Sequence, residues 1–306
     1  MSRGSAITCL FGKHPSQGDF LRVNMDVPGA RELDAWIGRA YAQLARDGGA
    51  MAPTRFVFRG DPPDALLIGC CVASRDSAGR SCPLAAFVHA SARAVARRWS
   101  ALPRAYASFL ADCERLLEGG AQLEARALTR ALAGLTVPDA GELHRAHDAL
   151  VAELDQAPPA ELLAGVYGSL DDGQHLYGLN TALLACASFA RPREALRARV
   201  TLDCPVKADL DVDFWLHLLA AGLGWRDTVP ALVWRARRLL IAPGAVSAAA
   251  LRYLHDPALA DDQLWALRTN SAAAIQRARD RLEAIAGAAA LERRRSSQQL
   301  IRDLVC

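Results

Sequence analysis

Lysine is almost missing from this 306-residue chain: among 36 basic side chains only Lys13 and Lys207 are lysines. A lysine inside a motif is therefore less a matter of background, and Lys13 lies inside one. No Cys-x-x-Cys pair occurs, and the eight cysteines (Cys9, Cys70, Cys71, Cys82, Cys113, Cys186, Cys204 and Cys306) stand mostly in apolar runs. That spacing excludes the usual zinc and dithiol frameworks and reads as buried free thiols. No stretch approaches the roughly 18 apolar residues of a membrane span, and Met1 to Cys9 lacks both an apolar signal region and a small-residue cleavage site. The expectation is a soluble, cytoplasmic protein without membrane insertion. Charge of one sign is scarce as well: 33 acidic residues leave a net charge of +3, and a pI near 8.5 falls short of a nucleic-acid binder.

Catalytic signatures are also missing. Gly12-Lys13 ends like a phosphate-binding loop, yet His14 follows where a metal-binding hydroxyl belongs and Ile7 replaces the first glycine. No G-x-S-x-G elbow exists, and Gly222-Leu223-Gly224 has Asp227 in place of the third glycine of a dinucleotide fold. No cofactor is expected.

What is present is the segment Phe11 to Leu21, FGKHPSQGDFL, in which Gly12, Pro15 and Gly18 are interleaved with Lys13, His14 and Asp19. Glycine supplies positive φ and proline fixes φ, so this density marks a shaped loop. The apolar Ala6 to Phe11 reads as a strand delivering the chain into it. A second loop, SRDSAGR from Ser74 to Arg80, reads as a hairpin with Gly79 at a left-handed position and Asp76 bonding back to nearby amides. If the flanking strands share a sheet, the two loops share an edge. Lys13, His14, Asp19, Arg75, Asp76 and Arg80 are then the candidate partner-binding or loop-organising residues, with Asp19 expected to pair with Arg80 or to cap amides.

The rest of the chain frames these loops. Leu33, Trp36, Ile37, Ala40, Tyr41 and Leu44 fall at helical spacing before Gly48-Gly49. Arg55 to Phe58, Ala65 to Ala73 and Cys82 to His89 read as strands, the second so uniformly apolar that both its faces should be covered. A helix through Val95 to Leu117 is interrupted at Pro103, and the Ala- and Leu-rich stretch that follows is helical to about Arg199. Val200 to Val206, Ala231 to Arg235 and Leu239 to Ala242 are strand-like; VSAAALRYL and Ser271 to Ala290 are helical. The fold expected is α/β, a mixed central β-sheet flanked by helices in an α-β-α sandwich. Its parts would be an N-terminal α/β region (residues 1–118), a helical layer or insertion (119–199) and a C-terminal α/β region (200–306) completing the same domain.

Other constellations have bland readings. His144 and His147, beside Glu142 and Asp148, suit a solvated helix face better than a metal site lacking a third spaced ligand. Asp209, Asp211 and Asp213 imitate a calcium loop, but Phe214 and Ala220 occupy the places of its glycine and bidentate glutamate, so they read as acids at a helix N-terminus. Phe214-Trp215 reads as core, and Arg293 to Arg295 as a solvated basic run. No metal site is expected.

Taken together, Phe11-Gly12-Lys13, Pro15-Ser16, Gly18-Asp19-Phe20, Trp36, Arg55-Phe56, Ser74, Asp76, Gly79-Arg80 and Pro83-Leu84 resemble the TagF family, also called ImpM, of type VI secretion accessory proteins. The match covers roughly Cys9 to Val88. The chain departs from the family pattern at Ala73, where proline is usual, at Arg75 and Ala78, where larger apolar residues are usual, and at Ser81-Cys82, where aromatics are common. The resemblance implies a central-sheet α/β sandwich and a non-catalytic cytoplasmic regulator. Such a protein represses type VI secretion after translation, with a forkhead-associated (Fha) scaffold protein as partner. The competing class is a metal-dependent, phosphatase-like hydrolase using Lys13, His14 and Asp19 with Asp76 and Arg80. On the docking reading, Lys13→Ala or Arg80→Ala weakens partner capture and leaves the thermal melt nearly unchanged.

Overall fold

A computed structural model describes residues 7–235, 237–287 and 291–305. Cys306, residues 288–290 of the expected last long helix, and the N-terminal residues 1–6 lie outside the described residues. Nine strands form one sheet in the order β2-β1-β5-β4-β3-β7-β8-β6-β9. They are β1 (Thr8–Gly12), β2 (Leu21–Val23), β3 (Thr54–Arg59), β4 (Ala65–Val72), β5 (Leu84–Ser91), β6 (Thr201–Pro205), β7 (Ala231–Arg235), β8 (Arg238–Ala242) and β9 (Leu264–Ala266). All neighbours are antiparallel except β6 and β9, so the sheet is mixed. The α/β class with a mixed sheet between helices is the observed architecture.

The uniform apolarity of β4 has the cause inferred from sequence. Leu66, Ile68, Cys70 and Val72 enter the core on one face, and Ala65, Leu67 and Cys71 face the other way, every one of them buried. The first face carries the large helical layer: Ala107–Gly119, Ala125–Ala133, Ala140–Gln156, Pro159–Tyr167, Gln174–Phe189 and Asp209–Leu223. The second is covered by Ala30–Arg46 and Ala250–His255, which bury Leu33, Trp36, Ile37, Leu251 and Tyr253 against Phe11, Phe56 and Phe87. Strand pairing also joins the early and late thirds of the chain, because Arg55, Phe56 and Val57 of β3 register with Trp234, Val233 and Leu232 of β7. Trp36 adds a tie by donating its indole N–H to the Ser247 carbonyl at 3.0 Å.

The helical middle has clear start signals. Asp139 accepts from the Glu142 amide and Glu142 accepts from the Asp139 amide, both at 2.8 Å, which closes a capping box before Ala140–Gln156. Between Ala92 and Ala105 the helix expected to break at Pro103 is a chain of short turns that already departs from helical geometry at Arg98, with Trp99 and Leu102 buried. Pro103 stands in the first turn of Leu102–Ala105, where its missing N–H costs no helical bond, so it marks a restart. β2 and β9 were missed because three-residue strands leave no readable alternation. Phe214 and Trp215 are fully buried, as the apolar spacing required.

Within the helical layer His217, on Asp209–Leu223, faces His147, on Ala140–Gln156, with ring centroids 5.9 Å apart. The Nδ1 of His217 is buried without a partner. Burial, with His147 and Arg302 adding to it, pushes the His217 imidazole down to about 4 against the contact with Gln298. Burial and Arg98 lower His147 as well, opposed by Asp148. The neutral form is therefore the folded form, so stability is complete above pH 6.5 and is lost as pH falls toward 4, where only the unfolded chain takes the proton freely. Asp213 works in the opposite sense: burial pushes its carboxyl up to about 6 despite Arg104, so its protonation favours the fold as pH falls below 6. His217→Gln removes one of these two opposing groups. The loss of stability between pH 7.5 and 4.5, followed by urea unfolding, should shrink by roughly 2 kcal/mol in this variant; an unchanged pH profile would contradict the assignment.

Candidate functional site

β1 ends at Gly12, whose φ of +130° lies in the region that favours glycine. A Cβ there would meet the Pro83 carbonyl oxygen at 2.1 Å. The backbone of β1 thus passes directly against the start of β5, in the register Gly12 to Leu84. Consequently the loop between β1 and β2 and the loop between β4 and β5 emerge side by side at one end of the sheet, the shared edge expected from the sequence.

The second loop is a tight hairpin. The Asp76 amide donates to the Arg80 carbonyl at 3.1 Å, the Gly79 amide to the Asp76 carbonyl at 2.9 Å, and Arg75 bridges Ser81. Gly79, at φ +79°, makes the reversal possible. The Asp76 side chain points inward and is fully buried. Its Oδ1 accepts from the amides of Ala78 (3.0 Å) and Arg80 (2.8 Å), while its Oδ2 accepts from Lys13 Nζ and Arg80 Nε, each at 2.7 Å. The Lys13 ammonium, with the backbone and guanidinium of Arg80, holds this carboxyl well below the usual carboxylate range, although burial opposes them.

The loops are joined at two more places. The Ser77 amide donates to the Gln17 carbonyl at 2.9 Å, and Arg80 Nη2 donates to the Gly18 carbonyl. Lys13 also lies over the Phe20 ring, 4.4 Å from its centroid, with the Arg22 guanidinium at 5.7 Å. His14 works elsewhere. It is fully buried, its Nδ1 accepts from the Ser16 amide at 3.2 Å, and its Nε2 donates to the Gly120 carbonyl at 3.0 Å. Ser16 Oγ in turn accepts from the Ala125 amide at 3.3 Å, which fastens the first loop to the helical layer.

The six candidate residues therefore separate into three groups. Lys13, Asp76 and Arg80 form one ion-pair cluster; His14 anchors the loop to Gly120; Asp19 and Arg75 are exposed. The expected Asp19–Arg80 pair is not formed. Arg80 reaches Asp76 because both belong to the same hairpin four residues apart, and Asp19 is left facing solvent. The roles of Phe20, Ser16 and Gly120 are not legible in the sequence: Phe20 meets Lys13 only because the loop folds back on itself, and Ser16 and Gly120 act across more than a hundred positions.

His14, Asp19 and Asp76 do not converge on a metal, and among the described residues no group of three or more His, Cys, Asp or Glu side chains is placed to hold one. A second polar region lines a cleft of about 1100 Å³ beside β3 and β7. There Arg55 grips Glu114 through two bonds of 2.8 and 2.7 Å, and Arg104 joins buried Asp213 (2.8 Å) to Glu153 (2.6 Å). Asp211 accepts from the amides of Lys207 and Ala208 at 2.7 and 2.9 Å, so the acidic triplet starts a helix, as its sequence suggested. No helix among the described residues is long and apolar enough to cross a membrane.

Residues 9–135 match the family model described as TagF N-terminal domain, type VI secretion system-associated. That span contains both loops and the Gly120 and Ala125 anchors. Among solved structures the chain is similar to the crystal structure of PA0076 from Pseudomonas aeruginosa PAO1. The sequence identity is 20% and the TM-score 0.36, over 43% of this chain and 64% of that one. A comparison with curated proteins found no match.

Burial of Lys13 changes what its substitution should do. Lys13→Ala leaves the Asp76 carboxylate in a solvent-free site with one cation fewer, so the thermal midpoint should fall by roughly 5–10 °C, where the sequence alone suggested almost no change. Gly12→Ala should lower it comparably by driving a methyl group into Pro83. A midpoint within about 2 °C of the parent for both variants would show that the loops are not held this way.

Proposed function

We propose that the protein, whose residues 9–135 match the family model of the type VI secretion-associated TagF N-terminal domain, is a cytoplasmic, non-catalytic regulator that restrains the secretion machine after translation by binding a protein partner. The observation that carries this reading is the division of labour inside the two loops. Lys13, His14 and Asp76, the groups suited to proton transfer or ligand binding, spend their bonds on one another and on Gly120. Asp19, Arg75 and Phe20 of the same loops remain exposed on a frame fixed by the sheet. Rigidly presented loop side chains are the usual material of a recognition surface. The partner we propose is the forkhead-associated scaffold protein implied by the family resemblance. The hydrolase alternative requires His14, Asp19 and Asp76 to meet around one ion. His14 and Asp76 are engaged elsewhere, and Asp19 faces solvent.

The exposed pair provides a test that does not disturb the frame. The double variant Asp19→Lys/Arg75→Glu should keep its thermal midpoint within about 2 °C and lose capture of the scaffold protein at least about fivefold, with secretion of type VI substrates rising in cells that carry it. Unchanged capture and unchanged repression would place the recognition surface elsewhere.

A further inference from the structure

β2 is the outermost strand of the sheet, bonded to β1 on one side, and its other edge is unpaired among the described residues. Beside that edge runs a groove of about 590 Å³ between β2 and the helix Ala125–Ala133. Leu21 and Val23 form its apolar wall on the strand, packing partly against the core of the helical face, while Arg22 points the other way toward Asp34. The opposite wall carries Arg126 and Arg130, one helical turn apart and both exposed. That helix has no acidic residue; Glu124 immediately precedes it. Neither guanidinium has an ion pair or hydrogen bond among the described residues. Two further large apolar side chains are exposed nearby in the chain, Phe20 at 43% and Leu123 at 38%.

We propose that this groove receives an extended, acidic peptide segment of a partner protein, added as a further antiparallel strand on β2. Main-chain bonds to the open edge would hold such a segment, and side chains alternate across a strand, so every second residue would enter the groove. Toward Leu21 and Val23 it would bring apolar groups, and toward Arg126 and Arg130 carboxylates, the only charge that relieves two adjacent unpaired cations. A second copy of this chain is the poorer occupant, because β2 pairing with β2 would bring the same two cationic walls together. The first loop supports the geometry directly: Gln17 lines the groove, and Ser16 bonds the Ala125 amide, fixing the distance between its walls.

The proposal rests on the reading of the protein as a partner binder, but it is tested on the groove alone. The probe is a fluorescein-labelled peptide in which every second residue is threonine and the intervening positions are valine and glutamate in turn, so that both enter the groove; it is titrated into the full chain by fluorescence anisotropy. Two control peptides are used, one with lysine replacing glutamate and one with N-methylated backbone amides. Binding of the glutamate peptide is expected. It should weaken at least about tenfold in Arg126→Glu/Arg130→Glu, with the lysine peptide, and with the N-methylated peptide. Circular dichroism should show the variant folded. An absence of glutamate-peptide binding, equal affinity for the lysine or N-methylated peptide, or full binding by the charge-reversed variant would each overturn the proposal. So would a concentration-dependent dimer of the parent chain that charge reversal abolishes. Loss of peptide binding together with intact scaffold capture would remove the groove and leave the regulatory reading standing.

Discussion

A carboxylate with no access to water needs positive charge and hydrogen-bond donors at close range, and Asp76 obtains all of them from two loops that are distant in sequence. The Lys13 ammonium crosses from the β1 end, Arg80 folds back within the hairpin, and two amides complete the shell. Because a buried charge stripped of its partners is costly, this arrangement permits only one relative placement of the loops. The strand register that brings Gly12 against Pro83 sets the two loops side by side, and the bond between Ser77 and Gln17 and the seat of Phe20 beneath two cations accompany the cluster.

The same constraint accounts for the way a loop that looks catalytic is spent on structure. Lysine, histidine and aspartate among glycines suggest an active site. Here the lysine and the hairpin aspartate neutralise each other, and the histidine uses one ring nitrogen on Ser16 and the other on Gly120. The outward residues of those loops, and the groove that the first loop shares with the helix Ala125–Ala133, are the parts left available to another molecule.

Much of this frame was legible in the residues. Gly12, Gly79 and the run from Ala65 to Val72 carry local signals, since positive φ, turn closure and two-sided burial leave marks within a few positions. Asp76 bonding to nearby amides was legible for the same reason. The pairing partner of Arg80 was not, because Asp19 and Asp76 are equally plausible carboxylates until the hairpin places one of them inside. β2 and β9 escaped detection as strands of three residues, and the His14–Gly120 bond spans more than a hundred positions. Arg126 and Arg130 did carry a local sign, two arginines at helical spacing with no acid on the same helix, which becomes meaningful only beside an open strand edge.

Lys13 and Asp76 act as one unit holding the loops together. A double-mutant cycle of Lys13→Met and Asp76→Asn, read as thermal midpoints of the two single variants and the double variant, addresses it most directly. The double variant should lose clearly less than the sum of the two single losses, because removing both charges leaves no buried ion unpaired. Strictly additive losses would contradict this coupling.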